Sequence, residues 1–579
     1  MELSGLENDN RTAPVIVRLL DDGFLGDPIY FPKGDEKELH FDGKRYVVTC
    51  HGAGWIGDQL VTCASDVVKN IPQLLRRGIS NIGASLRGSL CLYISSQEEQ
   101  YVFPDPLGAM IVFEYKSPRA IAYSSDLESL VKAVQELGEV VEKNFNYLVE
   151  LVATGNGGFF SSSYKNVSSF LPFEYLCVSQ KESRKFRYSV ADEFFSVPRS
   201  LDDLFERARN EILENVTAVA KSSFDNCISH LTGGFDSRLI LSALTYSGYE
   251  NKFRFMCSGN LNLPDRRIAG ELCGHLGLCL TNSDGTVKSS YQPGKAMFGT
   301  SGLLRFDLPV SAFPGHVLMS GGYGECLRSF YSSRNNSLGD PRSVLSSLYG
   351  RFFSDDSNRI VSSSFYDFYL NQFKGFLDES LGFGVPADAV LDYMYVAKRN
   401  RYYVGLTSGY FSNTIPRVDP LYSLSAIRLG LFTPQSLRSA NVQGLRMMSS
   451  FNSDLVSLPF DSERISPAYE SIYGPVSRQS FNGRTSDYFH DDRVVVHASK
   501  GATREQVQKA KEINCSLFQV VHLNDVQDSL RDLLGANRKI VSESMDWKIV
   551  NRLLNPNLSN RVHIRSVFAL HDSLCWFNS

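Results

Sequence analysis

The chain has 579 residues, 43% of them apolar and 21% charged, with 59 Lys and Arg set against 63 Asp and Glu. That balance is globular rather than disordered, and a net charge of −4 gives no electrostatic reason to expect nucleic acid or an anionic membrane as partner. At ~150 residues per domain the length allows about four domains, or two large ones.

Eleven cysteines run from Cys50 to Cys575 without a C-x-x-C pair. An odd count without metal spacing reads as reduced thiols in a cytoplasmic protein. Residues 1–10 carry Glu2, Glu7 and Asp9 and no apolar core, so no secretory signal is expected, and the sequons at Asn166 and Asn215 read as chance matches. No stretch approaches the length of a membrane-spanning helix.

Roughly the first 195 residues alternate short apolar runs with turns, the pattern of paired strands; 45–50, 89–94 and 110–115 are candidates. Around Ser200 the spacing becomes helical. Ser200 can cap a helix with Asp203 three residues on, and Leu201, Leu204, Phe205, Ala208, Ile212, Val216 and Val219 follow at three- and four-residue steps. The expected domains are therefore 1–197 and 198–579. Strands at 227–231, 253–257 and 317–320 then alternate with helices at 236–246 and 265–276, which implies a doubly wound parallel sheet. Beyond about residue 340 the chain reads as mainly helical, and 461–503, rich in Ser, Arg, Asp and Gly, reads as a long loop or lid.

The segment Leu231-Thr232-Gly233-Gly234-Phe235-Asp236-Ser237-Arg238 lies between a buried strand and a helix. Adjacent glycines let backbone amides approach an anion, and the helix N-terminus adds positive potential. Thr232 and Ser237 supply hydroxyls, and Asp236 can hold a divalent cation against phosphates. The Walker Lys and the G-x-G-x-x-G spacing are both missing, which argues against those two nucleotide folds. The plain alternative is a Gly-rich turn capped by Asp and Ser.

The loop resembles the S-G-G-x-D-S pyrophosphate loop of the N-type ATP pyrophosphatases, and in particular the asparagine synthetase B superfamily with its β-lactam synthetases and lasso peptide cyclases. Met256-Cys257-Ser258-Gly259 followed by Asp265-Arg266-Arg267-Ile268-Ala269 is similar to the family's adenine-side strand and D-x-x-x-A helix. Ser320-Gly321-Gly322-Tyr323-Gly324-Glu325 resembles its S-G-x-G-x-D loop, with Glu325 in place of a metal-binding Asp. Ile415-Pro416-Arg417-Val418-Asp419-Pro420 resembles its P-F-L-D segment. In the N-terminal region, Asp105-Pro106-Leu107-Gly108, Ser124-Ser125-Asp126-Leu127, Thr154-Gly155-Asn156 and Phe170-Leu171-Pro172-Phe173-Glu174-Tyr175 resemble the class II glutamine amidotransferase domain. The resemblance runs in the family's order from about residue 80 to 460.

It implies an Ntn-hydrolase-like αββα sandwich, followed by an adenine nucleotide α-hydrolase-like parallel sheet with a helical C-terminal part. It also implies ATP and Mg²⁺, with Leu231, Thr232, Gly233, Gly234, Asp236, Ser237, Met256, Ser258, Gly259, Ser320 and Gly321 around the nucleotide and Asp236 and Glu325 on the metal. Glutaminase activity is not expected, because Glu2 stands where that chemistry needs an N-terminal Cys; Cys50, the first cysteine, reads as a core thiol. Relatives that close β-lactams use a Tyr in the third loop, for which Tyr323 is the candidate, although counting from Ser320 puts Gly322 in that column. Their Glu column holds Ser412. Arg446 and Lys500 are the nearest candidates for a late catalytic Lys. Arg238 could reach a phosphate or the acceptor carboxylate, with an external salt bridge as the other reading. The run Lys398-Arg399-Asn400-Arg401-Tyr402-Tyr403 reads as an anionic-substrate lining or a solvated helix face.

The expectation is an ATP-dependent, AMP- and pyrophosphate-forming amide-bond synthetase of specialised (antibiotic-type) metabolism. It would join a small-molecule or peptide carboxylate to an amine, with no membrane partner and a homodimer as the open expectation for assembly. The alternatives are an ammonia-using asparagine synthetase homologue and a nucleotide-binding pseudoenzyme.

Overall fold

The computed structural model describes residues 13–21, 24–32, 35–257, 264–281, 314–331, 339–353, 359–412, 414–484, 486–489, 502–515, 517–555 and 557–579. Glu2, Ser258, Gly259 and Lys500 lie outside these residues.

The N-terminal strands are, in chain order, β1 (Val15–Asp21), β2 (Lys44–Ile56), β3 (Leu86–Ser95), β4 (Glu99–Pro104), β5 (Phe113–Lys116), β6 (Ala120–Ser124), β7 (Val167–Ser169), β8 (Glu174–Ser179) and β9 (Ser183–Arg187). They form two sheets, one running β7-β5-β6-β1 and the other β9-β8-β4-β3-β2, with shorter strands added beyond. Successive side chains on a strand face opposite ways. On β1, Ile16 therefore joins Tyr123, Cys91, Tyr93, Val102, Leu176 and Val178 in one buried cluster, drawn from both sheets and sealing them together. Val15 and Val17 point the other way, toward the face where helix α2 (Leu127–Glu136) packs on β1 and β6. Helix α1 (Ala64–Asn70) packs on β2 of the second sheet. The resulting layers, helix, sheet, sheet, helix, are the αββα arrangement expected from the sequence.

The strand expected at 110–115 starts late, at Phe113. The cause is Asp105, whose carboxylate accepts from the Ala109 and Met110 amides at 3.0 and 2.8 Å and keeps them out of any ladder. Helix α3 (Phe145–Thr154) follows in this region.

The chain then enters α4 (Leu201–Lys221), where the Ser200 hydroxyl accepts from the Asp203 amide at 3.1 Å. The expected apolar stripe is buried, from Leu204 through Ile212 to Val219. Six parallel strands come next: β10 (Asn226–His230), β11 (Phe253–Met256), β12 (Cys279–Thr281), β13 (His316–Met319), β14 (Arg417–Val418) and β15 (Asp487–Phe489). Helices α5 (Phe235–Ser247) and α6 (Pro264–Leu276) alternate with the first three. The spatial order is β14-β13-β10-β11-β12-β15, so the order reverses between β10 and β13. In open α/β sheets that reversal opens a crevice at the carboxyl ends of the two strands.

Two expectations are corrected. The segment 461–503 is no free lid over its described residues: it carries a helix, Pro467–Tyr473, and reaches β15, which pairs with β12 at the sheet edge. Gly274 on α6 makes room for it, since a Cβ there would overlap the Arg484 carbonyl. The run 398–403 is not a solvated face, although Tyr403 at its end is exposed. It lies in a π-helical segment, Tyr395–Gly405, with Arg401 buried. The Arg401 Nε donates to the Gly108 carbonyl at 2.8 Å and its Nη2 to the Phe170 carbonyl, clamping the sandwich to the helical part.

The last helices, α7 (Leu517–Ala536) and α8 (Arg561–Asn578), pack together, and α8 returns to the sandwich. Its Phe577 meets Phe145 of α3 edge-on, with ring centroids 5.4 Å apart. Among the described residues no helix is long and apolar enough to cross a membrane.

Candidate functional site

The loop between β10 and α5 sits at the crevice. Leu231 extends the ladder, its amide donating to the Met256 carbonyl at 2.9 Å, and its side chain is fully buried. Met256, half-buried, packs beside Ile228, Leu318 and Ile415. Within the loop, the Thr232 amide donates to the Ser237 hydroxyl at 3.0 Å and the Gly234 amide to the Thr232 hydroxyl at 3.1 Å. The Gly233 amide donates to Asp265 at 3.1 Å, while its carbonyl accepts from the Asp461 amide at 3.0 Å. Gly233 is tightly enclosed: a Cβ would stand 3.0 Å from that of Asp461 and 3.2 Å from Ile268. The loop is thus held shut by its own hydroxyls and by the head of α6. No side chain caps the first turn of α5, which leaves that helix N-terminus as the anion-attracting element of the crevice.

The loop after β13 packs against the same turn. Ser320 donates its amide to the Val418 carbonyl at 3.0 Å, and its hydroxyl accepts from Arg417 at 3.0 Å. Gly321 and Gly324 are needed for the approach: a Cβ on Gly321 would lie 3.1 Å from the Asp236 Cβ, and one on Gly324 would overlap the Asp236 carboxylate. The two loops therefore bring Asp236 and Glu325 together, as the sequence suggested.

What lies between them was not anticipated. Arg328, three residues past Glu325, donates Nη1 to Asp236 Oδ1 at 2.5 Å and Nη2 to Oδ2 at 3.1 Å. Its guanidinium also lies over the Phe235 ring, 5.5 Å from the centroid. Burial, and then the neighbouring Asp236 charge, push the Glu325 carboxyl up to about 7 against the opposing pull of Arg328. Both oxygens of Asp236, one of the two carboxylates expected on the metal, are thus paired with an arginine. Among the described residues no group of three or more His, Cys, Asp or Glu is gathered in a metal-binding arrangement.

The two expected catalytic residues lie elsewhere. Arg238 is buried, donating Nη1 to the Leu455 and Leu458 carbonyls at 3.2 and 2.9 Å and Nη2 to Pro459 at 2.5 Å, with the Phe460 ring 3.7 Å from its guanidinium carbon. Burial pulls it down to about 9. It ties α5 to the chain preceding Asp461 and reaches neither phosphate loop. Tyr323 adopts a left-handed backbone (φ 71°) and is 2% exposed. Its ring meets Tyr422 at 4.9 Å, and its hydroxyl has no hydrogen-bond partner among the described residues. Tyr422 in turn donates to Asp105 at 2.7 Å, so Tyr323 lies in the wall between sandwich and sheet. Arg446 pairs with Asp202 at 2.7 Å on α4, in a helix–helix contact. His230, held down at about 4 by burial and by Arg417, is neutral.

No family model and no curated protein matches the chain. Among solved structures, the allosteric regulatory enzyme of purine biosynthesis is similar at 10% identity over 57% of this chain and 72% of that one, with a TM-score of 0.19. Glutamine phosphoribosylpyrophosphate amidotransferase from B. subtilis, complexed with ADP and GMP, is similar at 12% identity over 58% and 73%, with a TM-score of 0.17.

Proposed function

We propose that the chain is an ATP-dependent, AMP- and pyrophosphate-forming amide-bond synthetase without glutaminase activity. The observation that carries the reading is the meeting of two glycine-bearing loops at the reversal of strand order, with an uncapped helix N-terminus and a guanidinium beside them. Such a crevice is built for a polyphosphate. A carboxylate attacks the α-phosphorus of ATP, giving an acyl-adenylate and pyrophosphate. An amine then attacks the acyl carbon and AMP leaves, so the product is an amide. Thr232, Gly233, Gly234 and Ser237 border the leaving pyrophosphate, whose negative charge the α5 N-terminus and Arg328 offset. Leu231 and Met256 border the adenine. Mg²⁺ is the expected companion of ATP, but Asp236 and Glu325 do not fit it while Arg328 holds Asp236, and no step is routed through it. Tyr323 and Arg238 are assigned no step, since neither faces the crevice.

A second reading, a nucleotide-binding protein that no longer turns over, is favoured by the placement of those same two side chains. ATP–pyrophosphate exchange separates the two, measured against a panel of amino acids, amino diacids and peptides beside Ser237→Ala. Exchange that depends on one acid and falls at least roughly tenfold in the variant supports the synthetase. Bound ATP without exchange for any acid leaves the second reading standing.

A further inference from the structure

Arg328 reaches into the phosphate crevice from outside both glycine loops and pairs there with Asp236. It follows the single helical turn Gly324–Leu327 in extended conformation (φ −131°, ψ 168°), which aims its side chain back at the head of α5. Both of its terminal nitrogens meet both Asp236 oxygens, the fork-to-fork arrangement that a guanidinium makes equally well with a carboxylate or a phosphate. A hydrated divalent ion needs a roughly octahedral shell and keeps several waters. Here the space against Asp236 is closed on one side by Gly321 and Gly324 and filled on the other by the guanidinium lying over Phe235. Arg328 pairs with Asp236, and its charge also acts on the neighbouring Glu325.

We infer that Arg328 is the resident cation of the phosphate crevice, resting on Asp236 when the crevice is empty and turning onto the polyphosphate when it fills, so that polyphosphate binding here does not require a divalent metal. The inference rests on the reading that this loop takes the phosphates of ATP. Asp236 is then a parking place for the arginine rather than a metal ligand. The phosphate displaces one anion with another of higher charge, and the released Asp236 stays beside Glu325, where repulsion between them favours the arginine's return once the product leaves.

The experiment is calorimetric titration of the full chain with ATP and with inorganic pyrophosphate, in EDTA and in excess Mg²⁺. For the wild-type chain the two conditions are expected to agree within about threefold, because the cation is part of the chain. Arg328→Met should weaken binding in EDTA by roughly ten- to a hundredfold, the range for losing a charge-assisted hydrogen bond. Arg328→Lys, which keeps the charge but loses the fork, should fall between and guards against misfolding of the first variant. Asp236→Asn should strengthen binding in EDTA several-fold by freeing the arginine. Binding that appears only with Mg²⁺, or is abolished in Asp236→Asn, overturns the inference and restores the metal pair while leaving the synthetase reading intact. Equal affinities of Arg328→Met and wild type in EDTA also overturn it. Absence of ATP and pyrophosphate binding under both conditions removes the synthetase reading, and the inference with it.

Discussion

Carboxylates in the sandwich and in the sheet crevice are held in different ways. Asp105 accepts from two backbone amides and from the Tyr422 hydroxyl. Glu150, in the middle of α3, accepts from the Phe159 and Phe160 amides, both at 3.0 Å, and from the Tyr369 hydroxyl. Both therefore shape loops, since a backbone amide has nowhere else to turn when its acceptor is lost. Asp236 is bound instead by the Arg328 side chain, which on the inference above turns away when phosphate arrives. The nature of the partner, main chain or mobile cation, separates a carboxylate that builds the fold from one poised for exchange.

The largest expected effect tests the sandwich half of that contrast. Asp105→Ala strands the Ala109 and Met110 amides and frees the Tyr422 hydroxyl in the wall between sandwich and sheet. Each stranded donor costs ~1–3 kcal/mol, so a loss of about 4 kcal/mol is expected in urea denaturation. A loss below about 1 kcal/mol would show that water reaches these amides and that Asp105 holds no loop.

Next comes pH. Burial pushes the Glu150 carboxyl up to about 7 from an ordinary value of 4.5, against the downward pull of its two amides. Between those values the native chain holds a proton that the unfolded chain has released. Stability attributable to Glu150 therefore falls as pH rises through that window, by on the order of 3 kcal/mol in total. Glu150→Gln removes the titration. Its absolute stability is lower, because one amide loses its acceptor, but its stability should be flatter than wild type between those two pH values. Parallel curves would dismiss the shifted carboxyl.

A smaller effect is expected of Arg401→Leu. Two carbonyls, of Gly108 and Phe170, lose their donor. Under-satisfied carbonyls are tolerated better than orphaned amides, so about 2 kcal/mol is expected in the same denaturation measurement. An unchanged midpoint would mean that the clamp between sandwich and helices lies elsewhere.

The contrast between regions also governs what was legible in the sequence. The stripe on α4 reports burial directly, so that helix could be read without a structure, whereas the αββα layers were expected from the resemblance. The Thr232–Ser237 loop could be read because its glycines and hydroxyls are consecutive. Arg238 was misread for a reason also visible in the sequence: on a helix, residues two apart lie on different faces, so a side chain two beyond Asp236 turns from the crevice toward Leu455 and Leu458. Tyr323 was misread because its left-handed backbone, uncommon for a non-glycine residue, turns it into the wall against Tyr422. Arg328 carried a weak signal, a lone arginine among Cys326, Leu327, Ser329 and Phe330 directly after the glycine loop. Its pairing with Asp236 depends on the β10–β13 neighbourhood, which spacing along the chain does not encode.

The smallest expected effect is the sharpest test. Asp236→Ala removes one carboxylate from a cluster of two carboxylates and one guanidinium. Arg328 is then left with Glu325 as its counter-charge, and Glu325 loses the repulsion that, after burial, raises it. Charge stays balanced and, among the described residues, no backbone amide is stranded, because Asp236 pairs with the Arg328 side chain and both side chains are about a fifth exposed. A partly solvated ion pair contributes about 0–1 kcal/mol, so the urea midpoint should move by less than a quarter of the Asp105→Ala shift. A loss matching Asp105→Ala would place Asp236 among the carboxylates that build the fold, and the contrast between the two regions would disappear.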